Sequence, residues 1–200
     1  MMPVLRVPGR VKPIPALLCA IPLLLGSSAA TVERGVDAET GLRSWEWREA
    51  GVVLRLVQRL PDQTRAFFQA RGFSGAASDR IADACIFQTI FRNESARPLG
   101  YSLDDWRVLH RGERTTLMTR ERWDAGWQEG EASQAAQIAL RWSLLPTRQH
   151  FEPGDYNWGM TGYGLPPGSA FDLELVLRLG EQPMMRTIDG IVCAPDREAN

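Results

Sequence analysis

The sequence has a single lysine, Lys12; every other basic side chain is arginine. It has two histidines, His110 and His150, and three cysteines in 200 residues. It holds no C-x-x-C pair, no G-x-S-x-G elbow and no glycine-rich phosphate loop following a strand. Each absence removes a class of chemistry. A serine triad needs a histidine beside a serine and a carboxylate, and here nothing exposes the nucleophile. A zinc site needs about four His, Cys or carboxylate ligands in compatible geometry. A nucleotide site needs a backbone cradle for phosphates. Paired carboxylates for glycoside cleavage are separated by the fold and not by spacing, and no sequence feature points to them. After the first thirty residues no apolar run approaches the roughly 20 residues of a membrane-spanning helix. A non-enzymatic protein without nucleotide or nucleic-acid partners is the expectation.

What is present begins with a leader. "MMPVLRVPGRVKPIPALLCAIPLLLGSSAA" carries Arg6, Arg10 and Lys12 without an acidic residue, then an apolar run from Ile14 to Leu25, then small residues to Ala30. This is the plan of a secretory signal peptide, with cleavage expected after Ala30. The alternative is an uncleaved membrane anchor, for which the run is short and carries Pro15 and Pro22. Lipid attachment at Cys19 is excluded by Leu18, where a small residue is required. Removing the leader's three basic residues from the total of 23 leaves 20 against 24 acidic ones. That balance excludes the basic patch of a nucleic-acid binder. The arginine bias suits a GC-rich genome, so a bacterium and a periplasmic address are expected.

Two cysteines then remain, Cys85 and Cys193. In an oxidising compartment an even pair predicts a disulfide. Closing a loop on the order of 100 residues would stabilise the fold by about 4 kcal/mol in the chain-entropy picture.

Residues 31–41 are polar and predict a flexible lead-in, and 42–196 predict a single domain. Trp45 and Trp47 alternate with polar neighbours, Ala50-Gly51 marks a turn, and 52–60 follow as the second strand of a hairpin. "PDQTRAFFQARG" (61–72) predicts a helix with Pro61 in the first turn and Gly72 past its end. A second helix is expected over 78–84 with Ser78 as N-cap. In "CIFQTIFRNES", Cys85, Phe87, Thr89 and Phe91 share one strand face, and Ile86, Gln88 and Ile90 share the other. Asn93-Glu94-Ser95 fits a glycosylation sequon and, in a bacterium, marks only a surface turn. Residues 119–130 predict a helix capped by Thr119, with Trp123 and Trp127 one turn apart. "IALRWSLL" (138–145) alternates Ile138, Leu140, Trp142 and Leu144, predicting a half-buried strand with Trp142 in the core. Pro153-Gly154 makes a turn before Tyr156, Trp158 and Met160 at strand spacing, and strands at 171–178 and 184–194 close the domain. Seven to nine strands with two or three short helical insertions predict a mainly β protein, an Ig-like antiparallel β-sandwich.

The order "CIFQTIFRNES…DDWRVL…FEPGDYNWGMTGYGLPP…FDLELVL" resembles bacterial extracytoplasmic Ig-like (telokin-like) accessory domains. In these a strand ending in Asn enters a polar turn, and a Pro-Gly turn precedes a Gly-bearing strand. The resemblance covers about 85–193; Trp45 to Ala84, with its helices, departs from it. It implies a binding or structural role outside the cytoplasm and transfers no catalytic residue.

Three functional expectations follow. The first is a periplasmic accessory or assembly subunit that binds another envelope or membrane-complex protein, with Trp123, Trp127, Tyr156 and Trp158 as contact residues, because Trp, Tyr and Arg anchor interfaces. The second is a copper carrier using His110, His150 and Met160, soft or borderline ligands in an oxidising compartment. Met118, Met184 and Met185 add to that pool, although consecutive Met184 and Met185 would point to opposite faces of a strand. The third is a carbohydrate-binding module in which exposed Trp and Tyr stack on sugar rings.

Overall fold

The computed structural model describes residues 29–196. The leader expected at 1–30 lies almost wholly outside the described residues. In chain order the strands are β1 (Thr31–Val36), β2 (Arg43–Glu49), β3 (Val52–Gln58), β4 (Ile86–Asn93), β5 (Leu99–Ser102), β6 (Arg107–His110) and β7 (Glu113–Thr115). They continue as β8 (Arg148–Phe151), β9 (Tyr156–Gly162), β10 (Ala170–Leu179) and β11 (Gln182–Val192). Helices α1 (Pro61–Gln69) and α2 (Gly75–Ala82) lie between β3 and β4, and α3 (Arg120–Gly126) and α4 (Gln134–Ser143) between β7 and β8.

Two antiparallel sheets face each other. One has the order β1-β2-β3-β4-β9. In the other, the long β10 pairs with β11 along one side and with β5 and β6 in succession along the other, and β8 and β7 lie outside these. The protein is therefore a mainly β, two-layer sandwich with helical insertions, as the alternation requires: inward positions such as Trp45, Trp47, Leu54, Phe87, Phe91, Leu173 and Leu175 are buried between the sheets. The Cys85–Cys193 disulfide, which spans 108 residues, ties the start of β4 to the segment after β11 and so staples one sheet to the other. Trp45 Nε1 donates to Gly190 O (3.2 Å) and Gln58 Nε2 to Val192 O (2.7 Å), giving two polar cross-links at the same end. The expected turn at Ala50-Gly51 is present, both residues at positive φ; a Cβ on Gly51 would come within 2.8 Å of the Ser95 backbone, so glycine is obligatory there.

A second, smaller core covers part of the first sheet's outer face. Phe68, Ala77, Ile81, Trp123, Ala136, Leu140 and Leu144 from the four helices and their flanks close over Ile86 of β4 and Met160 of β9. No helix among the described residues is long and apolar enough to cross a membrane.

Four expectations are corrected. Residues 31–36 are not a lead-in: they form β1, paired along its whole length with β2. An edge strand is held by backbone hydrogen bonds, and only Val32 packs on the core, so its polar composition concealed it. The second helix starts at Gly75, with Ser74 and not Ser78 accepting the capping bond from Ala77 N; Ser78 is buried and bonds back to Ser74 O. The 138–145 strand is the helix α4, capped by Ser133, whose side chain accepts from Ala136 N. Its period-two apolar set is also two i,i+4 pairs: Leu140 and Leu144 face the core, Ile138 and Trp142 face out. Trp142 is consequently 80% exposed and not a core residue.

Candidate interaction surface

Residues paired across antiparallel strands share a face. On the outer face of the first sheet, β4 and β9 therefore present Gln88 beside Met160, Ile90 beside Trp158, and Arg92 beside Tyr156. The helical layer covers Met160 but stops there. Beyond it Tyr156 and Trp158 are each 66% exposed, whereas most tryptophans of the chain are buried.

Helix α4 extends this surface. Its exit runs parallel to the free edge of β9: Leu144 bridges Met160, and Leu145 N donates to Met160 O (3.0 Å). The approach requires Gly159, because a Cβ there would lie 2.7 Å from Leu145 N and 3.0 Å from Leu144 C. Trp142 and Trp158 each stand two residues before a member of the Leu144–Met160 bridge. Ile138 and Trp142 are thus exposed on the helix whose exit docks against the edge of β9, the strand that carries Tyr156 and Trp158.

A cleft of about 500 Å³ lies on the same surface, lined by Ile90, Arg92, Glu94, Asp155, Tyr156 and Trp158 among others. Glu94 is shared between Arg48 (3.2 Å) and Arg92 (3.9 Å). Large aromatic and aliphatic surface beside a half-paired arginine is the composition of an interface centre and its rim. The cleft floor is densely hydrogen-bonded. Asn93, ending β4, is wholly buried: its Nδ2 donates to Arg97 O (2.7 Å) and Phe151 O (3.3 Å), and its Oδ1 accepts from Ser95 N and Oγ. The sequon asparagine is thus a staple of the turn, its side chain fully engaged.

Of the four aromatic contact residues expected from sequence, Tyr156 and Trp158 lie on this surface and Trp123 and Trp127 do not. Trp123 is 1% exposed, in the helical core, and stacks on Trp127 (5.8 Å between centroids, 19° between planes); the Arg80 guanidinium lies 4.1 Å over Trp127. Their i,i+4 spacing marks a helix face, which here faces inward. Trp142, assigned to the core by its period, is the member that sequence reasoning missed; the Ser133 cap followed by Ala136 and Leu140 was the signal for it.

The three copper-ligand candidates are not brought together. His110 on β6 has its Nδ1 2.7 Å from Ala170 O. His150 is an exposed residue of β8, with Nε2 3.3 Å from Glu152. Met160 lies in the other sheet, 5% exposed beneath the helices. Among the described residues no group of three or more His, Cys, Asp or Glu is placed to hold a metal. Met184 and Met185 do point to opposite faces, buried and exposed respectively.

Other hollows include a trough of about 520 Å³ over Gly100, with Arg148, His150 and Arg178 around it. Tyr163 is one of two perturbed phenols: burial pushes its pKa well above the ordinary range, while its hydroxyl accepts from Thr161 (3.1 Å), which bonds Thr89. That group is sealed between the sheets, away from any substrate path. Comparison with known protein families, with characterised proteins and with solved structures finds no match to this chain.

Proposed function

We propose that the protein is a non-enzymatic binding subunit that docks another extracytoplasmic or membrane-complex protein through the outer face of β9 and α4. The observation that carries this is the exposure of Tyr156 and Trp158 on one face of β9, and of Trp142 on the helix whose exit docks on that strand's edge, in a domain that buries most of its other large aromatics. Exposed Trp and Tyr beside arginine are the residues that dominate binding energy at protein interfaces. The resemblance to Ig-like accessory domains supports the same role, and the leader and the disulfide support an address outside the cytoplasm.

The test is a pull-down with a tag after Asn200, expressed at native level in the source organism, comparing the unaltered chain with Trp142→Ala/Tyr156→Ala/Trp158→Ala. The unaltered chain is expected to bring down a stoichiometric partner and the variant to lose it, each truncation weakening binding by about 2 kcal/mol. Equal recovery by both chains would move the interface elsewhere; a chain recovered alone would remove the proposal. The cleft's aromatic walls with Arg92, Glu94 and Asp155 also fit a sugar ring, and quenching of Trp158 fluorescence by soluble glycans would favour that reading instead.

A further inference from the structure

The edge of a sheet leaves backbone N–H and C=O groups unpaired, and folded proteins shorten, charge or cover their edges. Most edges here are managed in this way. On β11 the carbonyls of Asp189, Gly190 and Val192 accept from the side chains of Arg34 (3.0 Å), Trp45 (3.2 Å) and Gln58 (2.7 Å). Edge strand β1 carries Glu33 and Arg34, and β7 and β8 are only three and four residues long.

The edge of β9 is managed only in part. Alternate residues of an antiparallel strand turn both N–H and C=O to the same side. Asp155 O accepts from Asn93 N of β4 (2.9 Å), so Asp155, Asn157 and Gly159 face β4. Tyr156, Trp158, Met160 and Gly162 therefore face the other edge. There Gly162 O accepts from Met118 N (2.9 Å) and Met160 O from Leu145 N (3.0 Å). The Trp158 N–H donates to Asn157 Oδ1 (2.8 Å). Tyr156 N–H, Tyr156 C=O and Trp158 C=O have no hydrogen-bond partner among the described residues. They lie at strand spacing beside the two exposed aromatic side chains, and a donor and two acceptors so spaced are what an extended backbone matches.

We propose that the partner docks by strand addition: an extended segment pairs antiparallel with Tyr156–Trp158 on the open edge of β9, and its apolar side chains at alternate positions lie against Tyr156 and Trp158. This rests on the docking reading above and specifies the kind of segment that docks. Antiparallel pairing is the arrangement of every strand pair in both sheets, and residues opposite one another in it share a face. The probe is the end-blocked peptide TVTVT, titrated into isotope-labelled protein while backbone amide resonances are followed. It is expected to shift the Tyr156 and Trp158 amides saturably in the millimolar range and to slow exchange of the Tyr156 N–H. In this pairing both valine N–H groups donate to β9, to Tyr156 O and Trp158 O, while the central threonine N–H points away. N-methylation of both valines should weaken binding about ten-fold or more, the worth of two hydrogen bonds; N-methylation of the central threonine should leave it unchanged. No response at millimolar peptide, equal binding by the two methylated peptides, or a loss confined to the threonine-methylated one would overturn strand addition. The docking reading is decided separately by the pull-down, where a partner lost with the three aromatic side chains upholds the surface whatever the peptide does.

Discussion

At the scale of the residue, the seven tryptophans separate into opposite roles that their identities do not announce. Trp123 fills the small core and Trp142 projects from α4. Replacing Trp123 by alanine should cost about 3–5 kcal/mol, as for other large buried aromatics. Trp142→Ala should change stability by no more than about 0.5 kcal/mol, as at surface positions free of special features. Urea unfolding of the two variants measures both, and a large loss in Trp142→Ala would return that residue to the core. Asn93 shows the same divergence: as a motif it is a glycan acceptor, and as a buried side chain with four hydrogen-bonding contacts it closes the turn that shapes the cleft.

At the scale of the element, α4 decides whether the surface exists. Its ten residues hold together through the Ser133 cap and the packing of Ala136 and Leu140. The bridge to β9 then sets its position. Ser133→Ala removes the acceptor for Ala136 N and should cost about 1 kcal/mol; early amide exchange over 134–143, with the sheets still protected, would show the loss as local. Equal acceleration across the sheets would instead make α4 part of one cooperative unit. The period of 138–145 could not choose between helix and strand because apolar residues at every second position satisfy both. What chooses is the neighbour: β9 already has β4 on one side, and on its other edge, where Met118 also bridges Gly162, this segment pairs only briefly, at Leu144–Leu145.

At the scale of the molecule, two sheets, one disulfide and a helical layer are packed around two hydrophobic cores. The buried phenols give it a defined alkaline limit. Burial raises the pKa of both Tyr101 and Tyr163. A group whose folded pKa is raised contributes stability that is present below its unfolded pKa, about 10, and lost as pH climbs towards the folded value. Stability should therefore fall above about pH 10, by up to about 1.4 kcal/mol per pH unit for each fully protected phenol. Tyr163→Phe should shallow that slope while the Thr89–Thr161 bond persists. Unfolding midpoints between neutral and alkaline pH test it, and a slope unchanged by the substitution would place the titration elsewhere.

The sequence alone determined the layering and the staple. Alternation sustained over long runs, through Trp45 and Trp47, Phe87 to Phe91 and Phe171 to Leu179, matches strands with one buried face, and the two cysteines beyond residue 30 can form only one disulfide with each other. Turn chemistry was equally legible, because Ala50-Gly51 and Pro153-Gly154 act through their own backbone preferences. Half of the candidate surface was legible too, in Tyr156 and Trp158. The tertiary structure decided the rest: that 31–36 is an edge strand, that 138–145 belongs to a helix and its exit, and that Trp123 turns in while Trp142 turns out. The physical reason is that periodicity records which residues share a face, whereas burial depends on what packs against that face, and that is supplied by residues distant along the chain.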